Sequence, residues 1–401
     1  MSGMNQTPSG ERVHIAFFGR RNVGKSSLVN AFTGQALSIV SDVKGTTTDP
    51  VTKSMELLPL GPVQIIDTPG IDDEGALGEL RVQRTRQVLN KTDLAIVVAD
   101  ATIGLTTVEN QLLALIAEKG IPHLVAYNKC DLLEHVPSPT KDALWVSAEQ
   151  KINIHALKEA AAHLAAGQEN PRRLVADLLQ PGDGVVLVIP IDSAAPKGRL
   201  ILPQQQTIRD ALEAGAMSMC CCPENLPQAL SLLSVPPRLV ITDSQAFAQV
   251  NKLVPEQIQL TSFSILMARY KGDLPLAVAG AAAVNRVNGG DKVRIAEGCT
   301  LDRQCEDIGT VKLPKWIRQY TGVEPEFHFT SGTEFPEDLS GYRLVVHCGA
   351  CMLNEREIQY RLHSAKAQGI PVTNYGILIA YLNGILKRTL QPFPDIAGLL
   401  G

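Results

Sequence analysis

The chain has 401 residues, 45% of them apolar, which is enough for two or three domains with separate cores. Its 37 Lys and Arg residues against 41 Asp and Glu residues leave a net charge of −4, which argues against a protein that grips nucleic acid through many phosphates. No run of 18 apolar residues occurs, and the amino terminus lacks the layout of a signal peptide. These features predict a globular, cytoplasmic protein that binds neither nucleic acid nor membrane.

The first stretch of the chain has an α/β pattern. From Val13 to about Leu164, short apolar runs alternate with helical patterns. Runs that are apolar throughout and separated by helices predict a mainly parallel sheet covered by helices. The polar, proline-containing segment 167–173 interrupts the alternation and indicates a boundary. We therefore predict a first domain over residues 1–170.

Two smaller α/β domains are expected after this boundary. The stretch 174–260 repeats the strand–helix alternation without a phosphate-binding loop, so bridging and self-association are its expected roles. The stretch 261–401 contains two strand-like runs, DKVRIAEGC and YRLVVHC, which lead into Cys299 and Cys348. If these runs are parallel strands, the two cysteines meet at the carboxyl ends of the strands, where open α/β sheets bind their ligands.

A phosphate-binding loop is the strongest motif of the first domain. The segment Gly19–Ser26 fits the pattern G-x4-G-K-S/T and lies between an apolar strand and a helical segment, as this motif requires. Its glycines let backbone N–H groups face phosphate oxygens, Lys25 brings positive charge to the β- and γ-phosphates, and Ser26 presents a hydroxyl to magnesium. The nucleotide contacts expected from this segment are Gly19, Asn22, Val23, Gly24, Lys25, Ser26 and Ser27.

Three further motifs follow in the order typical of a guanine-nucleotide site. Asp67-Thr68-Pro69-Gly70 ends a second strand, which suits a carboxylate acting on magnesium and a backbone N–H near the γ-phosphate. Asn128-Lys129-Cys130-Asp131 and Ser147-Ala148 follow later strands. A carboxylate such as that of Asp131 can accept two hydrogen bonds from a guanine edge. These motifs resemble those of the translation-factor-like GTPases, and their expected nucleotide contacts are Asp67, Gly70, Asn128, Lys129, Asp131, Ser147 and Ala148.

The residue that follows the Asp67–Gly70 motif is Ile71, which is apolar and cannot orient a water molecule. Another group must therefore stabilise the transition state of GTP hydrolysis. Asn22 and the segment 45–49 (GTTTD) resemble the potassium-activated GTPases of tRNA modification and ribosome assembly. The resemblance implies magnesium on Ser26 and Thr47, and Lys25, Asn22 and Thr47 as the catalytic residues. It implies potassium ligands at Asn22, Ser41, Val43 and Thr46. The alternative is that Asn22 only caps the loop.

The cysteines indicate a metal site. Eight cysteines in a chain of this length are too few for a disulfide framework. Cys348 and Cys351 are spaced to reach one metal, with Gly349 permitting a tight turn, and Cys299 supplies a third soft ligand. Three thiolates favour an iron–sulfur cluster or zinc. A redox pair or buried free cysteines are the alternatives. The residues interpreted as non-ligands are Cys220, Cys221, Cys222, Cys305 and His328.

The whole chain then resembles one family. The GTPase motifs are joined to TSFSILMARYKGDL, IAEGCTLDRQCEDIGTVKLP and VVHCGACMLN, a combination similar to the HydF family of GTPases and scaffolds that mature FeFe hydrogenase. The resemblance implies a P-loop GTPase domain at 1–170, an α/β dimerisation domain at 174–260 and an α/β iron–sulfur cluster domain at 261–401.

The same resemblance implies the cofactors and partners. A 4Fe–4S cluster would be held by Cys299, Cys348 and Cys351, alongside GTP, Mg²⁺ and K⁺. A di-iron precursor would be the cargo, and the partners would be radical S-adenosylmethionine maturases and immature FeFe hydrogenase. The chain would form a homodimer or a higher oligomer.

One position departs from the family pattern. Leu301 stands where the family has the first histidine, and leucine cannot bind a metal. The fourth iron is therefore expected to take an exchangeable ligand: water, a carboxylate, His347 or a bridge to the cargo. The alternative function is a ribosome-assembly or tRNA-modification GTPase with a zinc-stabilised carboxyl-terminal domain. The near-neutral charge and the three-thiolate site favour the scaffold.

Overall fold

The computed structural model describes residues 7–34, 50–71, 76–166, 172–191, 200–298, 307–332 and 334–398. Contacts within the chain divide it into two compact units, Met1–Asn170 and Pro171–Gly401. The division of the second unit into two domains near residue 260 stays a prediction.

The first unit is built around a six-stranded sheet. Its strands, in the order β2-β3-β1-β4-β5-β6, are parallel except for β2, which runs antiparallel to β3. The elements are β1 (Val13–Phe18), α1 (Lys25–Thr33), β2 (Val51–Leu57), β3 (Gly61–Asp67), α2 (Ala76–Leu89), β4 (Leu94–Asp100), α3 (Thr107–Glu118), β5 (His123–Asn128), β6 (Ala143–Trp145) and α4 (Ile154–Ala166).

Each face of this sheet has its own core. One core includes Leu28 of α1 and Leu157 of α4, and the other includes Leu89 of α2 and Ile116 of α3. The central strands are therefore buried on both sides, which explains why they are apolar throughout. The mainly parallel, helix-covered sheet agrees with the sequence prediction. The antiparallel strand β2 was not predicted.

The second unit contains two parallel four-stranded sheets. Their orders are β10-β9-β7-β8 and β12-β11-β13-β14. The first half contains β7 (Gly184–Val188), α5 (Leu202–Glu213), β8 (Met217–Cys221), α6 (Leu226–Leu232), β9 (Leu239–Thr242), α7 (Phe247–Leu253) and β10 (Gln259–Ser262). The second half contains α8 (Phe263–Tyr270), α9 (Leu274–Ala281), β11 (Lys292–Ala296), α10 (Leu313–Thr321), β12 (Glu326–Thr330), β13 (Tyr342–His347), α11 (Glu355–Ala367), β14 (Val372–Asn374), α12 (Tyr375–Leu382), α13 (Leu386–Thr389) and α14 (Pro394–Ala397).

The two sheets of the second unit share one hydrophobic core. The same cluster of buried side chains includes Val185 and Leu239 from the first sheet, and Val293 and Val346 from the second. Ile377 of α12 belongs to it as well. Among the helices that the structure describes, none has the length and apolar character needed to cross a membrane.

Candidate nucleotide site and candidate metal centre

The loop between β1 and α1 needs an unusual backbone. Asn22 has a φ of 63° and Gly24 a φ of 79°. This left-handed region suits glycine and, less well, asparagine. Gly24 precedes Lys25, the first residue of α1, and Ser27 lies in the same first turn. Unpaired N–H groups at a helix start attract anions, so the loop is shaped for phosphate.

A buried carboxylate contacts two side chains at the end of this loop. Lys25 Nζ donates a hydrogen bond to Asp67 Oδ1, and Ser26 Oγ donates to Asp67 Oδ2 at 2.7 Å. Lys25 and Asp67 are only 8% and 6% exposed. The phosphate loop thus places a cation and a hydroxyl next to the carboxylate at the end of β3, the set of groups that a magnesium–nucleotide complex uses.

Asn128, at the end of β5, connects the phosphate loop to the predicted base-binding segments. Its Nδ2 donates to the carbonyl oxygen of Val23 at 3.0 Å, and its Oδ1 accepts from Ala148 N at 3.0 Å. The side chain is 2% exposed. The structure therefore joins three segments that the sequence analysis treated separately. Ser147 is also buried, and its Oγ accepts from Gln150 N at 3.0 Å.

Lys129 adds a second connection, to a residue that sequence reasoning missed. Lys129 Nζ donates to the carbonyl oxygen of Asn22 at 3.0 Å and pairs with Asp100 Oδ2 at 2.6 Å. Burial acts to raise the pKa of Asp100, but hydrogen bonds from Lys129 and Thr102 outweigh it and hold this pKa below its usual range. The signal available in the sequence was the position of Asp100, which ends an apolar strand at the same sheet edge.

The segment after β3 lies against the phosphate loop. Ile71 N donates to the carbonyl oxygen of Gly19 at 3.1 Å. A Cβ added to Gly70 would lie 3.0 Å from Arg21 Cα, so this close approach favours glycine. Asp131 is exposed in the short 3₁₀ helix Cys130–Leu132 that follows β5.

The predicted ion-binding segment is not described. Ser41, Val43, Thr46 and Thr47 lie outside the described residues. Of the predicted potassium ligands, Asn22 is the one whose position the structure gives.

We expect Gly24→Ala to destabilise the first domain and to reduce GDP affinity. The added Cβ would collide with Asn128 Nδ2 and would occupy a left-handed position, which costs about 1–3 kcal/mol for such a residue. Urea unfolding and a fluorescent-GDP titration measure the two effects. Gly34→Ala is the matched control, because Gly34 has a φ of 71° but nothing within 4 Å of the position that an added methyl group would take. Equal losses in both variants would show that the collision contributes nothing.

The predicted metal centre lies where two parallel strands end. β11 pairs with β13 in the register Ala296↔His347, and Cys348 N donates to the carbonyl oxygen of Ala296 at 2.9 Å. Cys348 Sγ accepts hydrogen bonds from Gly298 N at 3.0 Å and from Ala350 N at 3.3 Å. Hydrogen bonds to cysteine sulfur are a feature of iron–sulfur sites, where they tune the cluster.

The turn between the two cysteines differs in one detail from the expectation. Gly349 was expected to permit the tight turn, but the left-handed residue is Ala350, with a φ of 56°. This conformation is uncommon for alanine. It points the N–H of Ala350 toward Cys348 Sγ.

His347 has a partner at each ring nitrogen. Nδ1 lies 2.9 Å from the carbonyl oxygen of Cys348, and Nε2 lies 2.9 Å from Arg361 Nη1. Burial, together with the charge of Arg361, lowers the pKa of His347 to about 3. The imidazole is therefore neutral near pH 7. For His347 to serve as the exchangeable iron ligand, one of these contacts would have to break.

The third predicted thiolate is not described. Cys299, Leu301 and Cys305 lie outside the described residues, and within the described part no three His, Cys, Asp or Glu side chains are arranged to hold a metal ion. The chain nevertheless brings Gly298, the residue before Cys299, against Cys348 Sγ. This approach is consistent with the predicted donor set.

The remaining cysteines of the second unit lie at β8, an edge strand. Cys220 is exposed, Cys221 and Cys222 are half-buried, and burial raises the pKa of both Cys220 and Cys221. His328 contacts Tyr342 and Glu326. The assignment of these residues as non-ligands stays a prediction.

Sequence reasoning also missed a pair beside the predicted metal centre, in which Tyr375 is buried and Glu297 is half-buried. Tyr375 Oη donates to Glu297 Oε1 at 3.2 Å. Burial raises the pKa of Tyr375 well above its ordinary value, and the neighbouring Cys348 and Glu297 add to this effect. Gly309 packs so closely on the pair that a Cβ there would collide with both side chains. Only the position of Glu297, two residues before Cys299, was a signal in the sequence.

Two curated GTPases are similar to part of this chain. The chain is 32% identical over 165 residues to the tRNA modification GTPase MnmE of Nitrosospira multiformis, covering 39% of this chain and 36% of that protein. It is 40% identical over 125 residues to GTPase Der of Xylella fastidiosa, covering 30% and 27%. The chain thus matches about a third of the length of these relatives.

Solved structures show the same partial likeness. A probable GTP-binding protein engB has a TM-score of 0.31 and 23% identity, covering 39% of this chain and 100% of that one. The G domain of the T. maritima FeoB iron transporter has a TM-score of 0.29 and 23% identity, covering 38% and 99%.

Family models account for the whole order of domains. A 50S ribosome-binding GTPase model matches residues 14–129, a hydrogen maturase F dimerization domain matches 174–272, and a hydrogen maturase F tetramerization domain matches 275–392. The predicted α/β fold class, with a P-loop GTPase domain first, is confirmed. The two hydrogen maturase F models together cover more than half of the 401 residues. The chain therefore belongs to the hydrogen maturase F (HydF) family.

Proposed function

We propose that this chain is a GTP-hydrolysing scaffold that binds a 4Fe–4S cluster and delivers a di-iron precursor to immature FeFe hydrogenase. Its family and its GTPase domain support the first half of this statement. The observation that carries the second half is the pair of backbone N–H groups at Cys348 Sγ, one of which belongs to the residue before Cys299.

The nucleotide half of the mechanism uses side chains that lie close together in the phosphate loop and at the end of β3. Lys25 would exchange its contact with Asp67 for the β- and γ-phosphates, and Ser26 with Thr47 would hold magnesium. Magnesium, when bound, neutralises charge that develops on the phosphates. Asn128 keeps the phosphate loop and Ala148 in register, and Asp131 would accept hydrogen bonds from guanine.

We expect GTP hydrolysis to be faster in potassium than in sodium. Ile71 offers no polar group to the reaction, and Asn22 places a side-chain amide in the phosphate loop. Steady-state phosphate release at matched ionic strength measures the effect. Asn22→Gly keeps the left-handed backbone while it removes the amide, and it should abolish the difference between the two ions. Equal wild-type rates in both salts would exclude the cation mechanism and leave nucleotide binding intact.

The cluster half assigns Cys299, Cys348 and Cys351 as the residues that hold iron. Three thiolates leave one iron of a 4Fe–4S cluster without a cysteine, and such a cluster supplies an open position to which cargo can attach. Leu301 cannot fill that position.

The dimerization and tetramerization domains indicate that the chain forms oligomers. Radical S-adenosylmethionine maturases would load the cargo.

Anaerobic reconstitution tests this function. The protein should become brown and bind about four irons per chain, the content of one 4Fe–4S cluster. After coexpression with the two radical S-adenosylmethionine maturases, it should activate immature FeFe hydrogenase, whereas protein expressed alone should not. Colourless protein with one zinc per chain would instead support the ribosome-assembly or tRNA-modification type of GTPase.

A further inference from the structure

A fully buried arginine lies behind the cysteine turn. Arg361 of α11 is 1% exposed, and its Nε donates to Glu357 Oε1 at 2.8 Å, one helical turn earlier. Its Nη2 donates to the carbonyl oxygen of Gly332 at 2.6 Å, and the guanidinium lies 5.1 Å from the centre of the Phe335 ring. A planar cation held from three directions has one orientation, so the N–H groups of its remaining nitrogen, Nη1, point in fixed directions.

This nitrogen determines the tautomer of His347. Arg361 Nη1 lies 2.9 Å from His347 Nε2, and a guanidinium can only donate hydrogen bonds. Nε2 must therefore accept, which places the imidazole proton on Nδ1. Nδ1 then donates to the carbonyl oxygen of Cys348 at 2.9 Å. Both nitrogens are occupied in a chain of hydrogen bonds that runs from α11 to the cysteine turn.

The last link of this chain affects the cysteine directly. The carbonyl of Cys348 and the N–H of Gly349 share one peptide plane, so fixing that carbonyl fixes the start of the turn. The turn continues to Ala350, whose N–H contacts Cys348 Sγ at 3.3 Å. Hydrogen bonds to cysteine sulfur are among the factors that set the reduction potential of an iron–sulfur cluster.

We propose that Arg361 is a positioning residue for the turn Cys348–Cys351, that it acts through His347, and that His347 is a hydrogen-bond relay and not an iron ligand. The part that concerns iron rests on the proposed function. The part that concerns the hydrogen-bond chain stands without a cluster.

The first experiment needs no substitution. Full-length protein with ¹⁵N-labelled histidine is reconstituted, reduced and studied by pulsed electron paramagnetic resonance. We expect no coupling of the size that a directly bound imidazole nitrogen gives. A strong histidine coupling that disappears in His347→Asn would overturn the proposal.

The second experiment measures the midpoint potential of the cluster. His347→Leu should shift it, because the carbonyl of Cys348 loses its donor. His347→Asn should restore the wild-type value, since an asparagine amide can donate from nearly the position of Nδ1. The double variant Arg361→Gln/Glu357→Gln, which leaves no buried carboxylate unpaired, should shift it as His347→Leu does. Adding His347→Leu to that double variant should shift the midpoint potential no further.

His363→Leu is the matched control, because His363 is exposed on the same helix. If His347→Leu and His363→Leu have the same midpoint potential, the positioning role of Arg361 and His347 is wrong. If the wild-type protein binds no cluster, the proposed function fails. Thermal unfolding of the same variants without metal then tests whether the hydrogen-bond chain from Arg361 to Cys348 exists. Non-additive losses of Tm support the chain of hydrogen bonds, and additive losses overturn it.

Discussion

Cys348→Ser and Cys351→Ser should each remove most of the iron that the reconstituted protein holds. A serine hydroxyl is not ionised at neutral pH and is a poor ligand for iron, which soft thiolates favour. In Cys348→Ser the two N–H groups that now contact sulfur would face a neutral oxygen. Iron and sulfide analysis after anaerobic reconstitution, together with visible absorbance, measures the loss. Cys299→Ser should behave in the same way.

Cys220→Ser and Cys305→Ser are the matched controls. Cys220 is exposed on the edge strand β8, in the other sheet of the unit, and its replacement should leave the iron content unchanged. Loss of iron in Cys305→Ser would make that residue the fourth ligand. It would also exclude an open iron as the place where cargo attaches.

Lys25→Ala should reduce GTP turnover by about a hundredfold or more, the usual cost of removing one group that stabilises transition-state charge. Lys25 is the buried cation at the start of α1, in contact with Asp67. Its loss also leaves that carboxylate without its charged partner, so the unfolding temperature of the first domain should fall. Single-turnover hydrolysis separates the chemical step from weakened binding.

Lys141→Ala, which removes an exposed lysine from the same domain, provides the control and should leave both quantities unchanged. A Lys25→Ala protein that binds GTP and hydrolyses it at the wild-type rate would contradict the assignment of this loop.

The nucleotide site was largely predictable because its signals are local. A phosphate loop is eight consecutive residues, and its context of strand and helix can be read from the same stretch of sequence. Asp100 was missed because its role depends on Lys129, which reaches it from the end of the neighbouring strand. The strand β2 was missed although its side chains alternate between exposed and half-buried, as expected at the edge of a sheet.

The surroundings of the predicted metal centre could be derived from the sequence only in part. Parallel pairing of β11 and β13 follows from two apolar runs, and it brings the segment before Cys299 to Cys348. The polar groups behind that turn carry no comparable signal. Arg361 occupies a helix that is otherwise rich in charged residues, and nothing in its sequence spacing distinguishes a buried arginine from a solvated one. Tyr375 likewise reaches Glu297 across 78 residues of chain.

The shared core of the second unit links the two oligomerisation domains energetically. Val185 and Leu239 pack in the same cluster as Val293 and Val346, so neither sheet can lose its structure without exposing apolar surface of the other. Residues 171–401 should consequently melt in a single cooperative transition. A subunit or partner that binds one sheet only in its folded form stabilises that form by thermodynamic linkage. Because the core is shared, the same binding also stabilises the other sheet and the turn Cys348–Cys351. Assembly of this protein would then also protect the turn that carries Cys348 from local unfolding.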